Sequence, residues 1–151
     1  MRAVALLAFA AGCTVAPPSR DSVPPGDARM FAERVQPVLQ RYCAFLACHG
    51  RPGIPLFLFA VDFARMPEPG PGVPLRELAL SPEEPTRNQR STAARVDVDV
   101  PDDTLLLRKV RSPDDGGEIH ATGDVVFRRT AEPDYGVLRE WVTTVIAERG
   151  R

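Results

Sequence analysis

Histidine occurs only twice in the 151 residues, tryptophan once and lysine once. Two histidines leave no material for a histidine-rich metal cluster, and no Ser-His-Asp arrangement can be argued from them. Cationic clusters are missing as well. The chain carries 19 basic and 20 acidic residues, a balance that argues against nucleic acid, whose phosphates require a concentrated positive face. The bases are arginines apart from Lys109, a bias of composition and not a binding signal. No glycine-rich phosphate loop follows a strand. The aspartates at 97, 99, 102 and 103 lack the loop glycine and closing glutamate of a calcium site, and are expected on a solvated rim. No internal repeat is visible. With no nucleophile, paired acid and base, or phosphate cradle, the chain is not expected to be an enzyme.

Long apolar runs are also few. The unbroken stretch Ala3 to Ala11 is far short of the roughly 20 residues that cross a bilayer. It follows Arg2 and precedes small residues and Cys13, the order of an export signal. Residues 1–12 are therefore expected to be a signal peptide. Ala10-Ala11-Gly12-Cys13 resembles the lipobox cut by the bacterial lipoprotein signal peptidase, although Leu usually stands where Ala10 does. The resemblance implies a lipid on Cys13, a membrane anchor, and a location in the bacterial cell envelope facing the periplasm. The other reading is an ordinary secretory signal with Cys13 unmodified. Residues 13–27, rich in proline and small polar residues, are expected to be a flexible linker. Loss of Arg2 with the signal leaves 18 basic against 20 acidic residues, a net charge near −2.

The remaining segment, 28–150, has the length of one small domain. Proline and glycine supply 27 residues of the chain, so its loops should be long. Strand signals are thin: alternation at Val96 to Val100 and a short run at Val125 to Phe127. Helical periodicity is clear at both ends. Asp27 can cap a helix on which Phe31, Val35, Val38, Leu39 and Tyr42 recur at helical spacing, with Pro37 expected to kink it or start its second part. At the far end Thr130 or Glu132 can cap, and Pro133 suits a first turn. Leu138, Trp141, Val142, Val145 and Ile146 then form one apolar stripe up to Gly150. Trp141 reads as core. A short helix carrying Leu105, Leu106, Leu107 and Val110 is expected to start at Asp102 or Asp103, and a mostly polar one at Glu84 to Arg95. The apolar run Ile54 to Phe63 gives no clear element. The fold class is mainly α.

The informative segment is Cys43-Ala-Phe-Leu-Ala-Cys48-His49-Gly50. A c-type haem needs two thiols for its vinyl groups and a histidine beside the second thiol for its iron, usually as C-x-x-C-H. Here four residues separate the thiols, so the intervening loop must bulge. Two other readings of the same residues stand beside this one. An oxidising envelope permits a Cys43–Cys48 disulfide in a non-haem structural or binding lipoprotein. C-x4-C also falls within zinc-ligand spacing, but adjacent Cys48 and His49 seldom aim at one tetrahedral ion.

The run FAERVQPVLQRYCAFLACHG, with the form F-x3-V-x-P-V-L-x3-C before C-H-G, resembles the first helix and haem site of small cytochrome c-like domains of exported bacterial proteins. TLLLRKV and PDYGVLREWV resemble a second signature of those domains, a leucine-rich turn and a terminal D-Y-x-x-L-x-x-W helix. The similarity runs discontinuously over residues 28–147. It implies a cytochrome c-like helical fold and electron transfer to a redox partner protein that the sequence does not identify. Carried over, it makes Cys43 and Cys48 the thioether positions of haem c and His49 the proximal iron ligand. The distal ligand has to be found separately. Met30 lies early on the first helix, which leaves His120, beyond Gly116-Gly117, ahead of Met66 in FARMPEP. A vacant sixth position is the third option.

Overall fold

The computed structural model describes residues 23–66, 74, 78–120 and 122–151. The signal, Cys13 and most of the expected linker lie outside them. The chain is mainly helical. The first helix begins at α1 (Ala28–Met30), where the Asp27 side chain accepts from Met30 N at 2.8 Å. It widens through a π-helical stretch, Phe31–Val35, and continues as α2 (Gln36–Tyr42). Pro37 explains the widening. Its ring nitrogen cannot donate, so the hydrogen-bond ladder cannot keep the α register through this point. Gln36 N instead reaches five residues back to Phe31 O.

α3 (Glu83–Ala93), α4 (Leu105–Val110) and α5 (Pro133–Arg149) complete the helices, with single 3₁₀ turns at Pro101–Asp103 and Pro113–Asp115. α4 is capped by the Thr104 side chain, not by Asp102 or Asp103. Those aspartates sit in the preceding 3₁₀ turn. Asp102 there accepts from Tyr135 Oη at 2.9 Å and pairs with Arg139 at 3.0 Å. The expected solvated rim is thus partly engaged: Asp97 accepts from Leu105 N, and Asp99 pairs with Arg149. Glu132 is the N-cap residue of α5, but its carboxylate turns back to Arg128 N and Arg129 N.

Neither expected strand forms. At 96–100 the alternation does not carry over into burial: Val96 is inside, whereas Val98 and Val100, on the same parity, are exposed with Asp97 and Asp99. Val125 to Phe127 contributes one parallel bridge, Arg111 to Phe127. Two flanking backbone bonds, Ser112 N to Phe127 O and Phe127 N to Val110 O, close that bridge.

The core lies where α5 meets the first helix. Phe31 packs on Trp141 with ring centroids 5.1 Å apart, and Tyr42, Phe127 and Tyr135 form an edge-on series at 5.2 and 6.0 Å. Trp141 is fully buried, so its reading as core holds. α4 contributes Leu106, Leu107 and Val110. The polar helix α3 is buried along one side, and its inward groups have partners. Asn88 receives Phe59 N at 2.7 Å and donates to Phe59 O and Gln36 Oε1. Glu84 is fully buried, with Arg65 beside it at 3.0 Å and Ser81 N at 2.7 Å.

The last part of the expected linker is docked. Gly26 N donates to Glu148 and Asp27 N to Thr144 Oγ1, while Gln89 donates to the carbonyls of Pro25 and Gly26. Val23 packs against the core. Residues 23–27, two of them proline, carry no periodicity, but the backbone groups of Pro25, Gly26 and Asp27 still find partners on α3 and α5. Among the described residues no helix is long and apolar enough to cross a membrane.

Candidate functional site

α2 ends by turning its chain directly into the Cys43 to His49 segment. Leu39 O accepts from both Cys43 N and Ala44 N, at 2.9 and 3.0 Å. Phe45 O accepts from Cys48 N at 2.8 Å and Gly50 N at 2.9 Å, and His49 N closes back to Cys43 O at 3.0 Å. The four residues between the thiols therefore fold as a compact turn. Gly50 is required there, because a Cβ would lie 2.3 Å from Ala44 O.

Cys43 is buried and Cys48 half-buried. Both are free thiols, and both line the same cavity. Burial, with a smaller contribution from Cys48, pushes the Cys43 thiol up to about 12. At neutral pH it carries no charge.

His49 is fixed by the segment that follows. Its Nδ1 lies 2.7 Å from Leu56 O. A carbonyl can only accept, so Nδ1 carries the proton and Nε2 is left with its lone pair. Leu58 N donates to His49 O at 2.8 Å and holds the same segment to the turn. Burial lowers the His49 pKa below its usual value; the Leu56 bond opposes this, while His120 and Arg95 add to it. The ring is therefore neutral at pH 7, the state a metal ligand needs.

His120 faces it. The two imidazole centroids are 5.7 Å apart with planes at 86°. His120 sits on a loop tied down at both ends. Glu118 N donates to Arg108 O, Lys109 Nζ to Ile119 O, and Gly123 N to His120 O. Gly117 presses so closely on Arg111 that a Cβ would fall 2.0 Å from Arg111 O. The His120 Nδ1 is 3.1 Å from Thr122 Oγ1.

These groups line a cavity of about 730 Å³, within the roughly 300–1,000 Å³ of small-molecule and cofactor sites. Leu39, Leu56, Leu106, Val110 and Val126 supply much of its apolar wall, and Phe45, Ile119 and Val125 stand at its edge with exposed side chains. Its charged lining is Arg41, Arg51, Arg95, Lys109 and Asp124.

Cys43, Cys48, His49 and His120 are thus brought together. Met66 is not. Glu84 accepts from its backbone N, Ser81 Oγ donates to its carbonyl, and it does not line the cavity. Among the described residues no group of three or more His, Cys, Asp or Glu side chains is placed to hold a metal ion. Two participants could not be read from the sequence. Leu56 acts through its carbonyl, which no side-chain pattern announces, and Arg95 reaches the cavity from the far end of α3. Comparison with protein-family models, with curated proteins and with solved structures gives no match.

Proposed function

We propose that this chain is an envelope electron carrier of the cytochrome c-like class, exported and anchored through Cys13, with a c-type haem held by Cys43, Cys48 and His49 and a second axial ligand from His120. The observation that carries the reading is one largely apolar cavity lined by two free thiols and by two imidazoles whose ring centres are 5.7 Å apart.

The donor set fits the group in kind. Two thiols and two imidazoles are what covalent attachment and six-coordinate iron require. A buried Cys43 that resists ionisation suits a neutral thioether better than a metal thiolate, whose charge would be costly in that position. Haem, when bound, supplies a one-electron Fe(III)/Fe(II) couple.

The chain's own residues do the rest. Leu56 O fixes the His49 tautomer and orientation, so Nε2 points its lone pair without a search. The leucine and valine walls give the cavity a largely apolar lining. The His120 loop, pinned through Glu118 and Gly117, would supply the second imidazole. No acid, base or nucleophile is called on, so the role is electron transfer and not catalysis.

The test is to produce the mature protein together with haem maturation factors. The expected product has a Soret band that remains with the polypeptide after denaturation, and a mass increased by one haem. A colourless product two hydrogens short in mass would refute the proposal and establish the Cys43–Cys48 disulfide instead.

A further inference from the structure

Arg95 occupies an unusual place beside this site. Its backbone joins two helices: Arg95 N donates to Thr92 O at the end of α3, and Arg95 O accepts from Leu106 N in α4. Its side chain lines the cavity, and its guanidinium donates to the carbonyl of Pro55. Pro55 directly precedes Leu56, whose carbonyl holds the His49 Nδ1–H. One side chain therefore both braces the strap that orients the candidate proximal ligand and places a permanent positive charge on that ligand's side.

The geometry points to Arg95 as the positioning residue that sets the reduction potential of the proposed site, acting through the Pro55–Leu56 strap and through its charge. The inference rests on the haem reading above. Reduction adds one electron to the iron centre, so a fixed cation nearby favours the ferrous form, and its removal favours the ferric form. Arg suits the task because its guanidinium does not lose its proton in proteins.

The experiment compares the haem-loaded protein with its Arg95→Gln and Arg95→Lys variants by spectroelectrochemical titration. Gln removes the charge and falls short of Pro55 O; Lys keeps the charge and a comparable reach. Expected for R95Q is a tenfold shift of the oxidised-to-reduced ratio toward oxidised at fixed potential, equivalent to a midpoint about 59 mV lower. R95K should stay close to the unmodified protein. The Soret band and covalent attachment are read on the same samples. Unmodified protein without pigment refutes the haem reading itself. A pigmented R95Q with an unchanged midpoint overturns the role of Arg95, and so does an equal fall in R95Q and R95K, which would trace the effect to packing alone.

Discussion

Gly50→Ala tests the turn on which the site depends. The new Cβ would lie 2.3 Å from Ala44 O, 3.0 Å from Phe45 C and 3.1 Å from Phe45 O. An ordinary C···O approach is about 3.3 Å or more, so one side must move by roughly 1 Å. All three atoms are backbone, and none can rotate away. The displacement falls on the bonds that close the turn, Gly50 N to Phe45 O at 2.9 Å and His49 N to Cys43 O at 3.0 Å. Gly50 is buried, so a group released there loses its partner without gaining water. At about 1–3 kcal/mol for each such group, the substitution should destabilise the apoprotein by about 2–4 kcal/mol. For a domain of this size that is a fall in Tm of roughly 6–20 °C. His49 is the adjacent residue, so the haem-to-protein ratio after co-expression with maturation factors should fall too. Gly136→Ala is the control: a Cβ there meets nothing within 4 Å, and alanine in a helix is favoured over glycine by about 0.5–1 kcal/mol. Differential scanning calorimetry on both variants decides the matter. A G50A protein that melts with the unmodified chain and holds as much pigment would refute this account of the turn.

Other perturbations separate the parts of the site. In the haem-loaded protein His120→Ala should change the low-spin absorption spectrum, whereas Met66→Ala should leave it unchanged; the reverse pattern would reassign the distal ligand. Glu84→Gln leaves Arg65 charged with its side chain only 6% exposed, and should cost about 3–5 kcal/mol in urea unfolding; a loss under 1 kcal/mol would mean that water already reaches the pair. Acidification should destabilise the apoprotein in two stages. His49 has a lowered folded pKa, so the unfolded chain binds its proton first, and stability falls as the pH drops below about 6.5. Glu84 is held below the usual carboxylate range because its hydrogen bonds from Arg65, Ser81 and Met66 outweigh burial, so its contribution is full above about 4.5 and is lost as pH falls through its folded value. Replacing His49 by Asn should remove the first stage, measured as urea midpoints between pH 7 and pH 5, and leave the second.

The framing helices were legible because their signals are local and periodic. Phe31, Val35, Val38 and Leu39 repeat at helical spacing, as do Leu138, Trp141, Val142 and Val145, and all eight are buried. The segment Cys43 to His49 was legible as chemistry through residue identity alone. What periodicity missed depends on side-chain hydrogen bonds between distant segments. α3 has an inward face made of Glu84, Asn88, Gln89 and Thr92, which no apolar pattern can reveal. The strand signal at Val96 to Val100 misled because alternation in sequence does not supply the ladder partner a strand requires; only Val96 is buried there, and residues 97–100 are exposed. Asp102 resembled a helix cap by composition, yet Thr104, two residues later, has the extended backbone and the oxygen in reach of Leu107 N. The docking of residues 23–27 was hidden for the same kind of reason. Residues 23–27 are held by Glu148, Thr144 and Gln89, partners more than 60 positions away.

The four-residue spacer between the thiols is the feature of the sequence that sits least comfortably with a haem site, and the turn supplies a physical answer to it. A C-x-x-C-H segment reaches both sulfur positions within a single turn of chain. Two further residues would swing the second thiol and the histidine away if the helix simply continued. Here α2 stops at Tyr42, and the chain coils on itself so that Cys43 O receives His49 N and Phe45 O receives both Cys48 N and Gly50 N. The additional length is taken up outward. Phe45 and Leu46 are 43% and 55% exposed, while Cys43, Cys48 and His49 remain on the cavity. Deleting Leu46 and Ala47 should therefore not improve the site by restoring the usual spacing. It would remove the residues that carry the chain from Phe45 to Cys48, break the bonds to Phe45 O, and draw His49 away from Leu56. The expected result is less covalently held pigment than in the full-length protein, read from the Soret-to-protein ratio. Equal or greater pigment in the deletion variant would show that the bulge contributes nothing to the placement of the histidine.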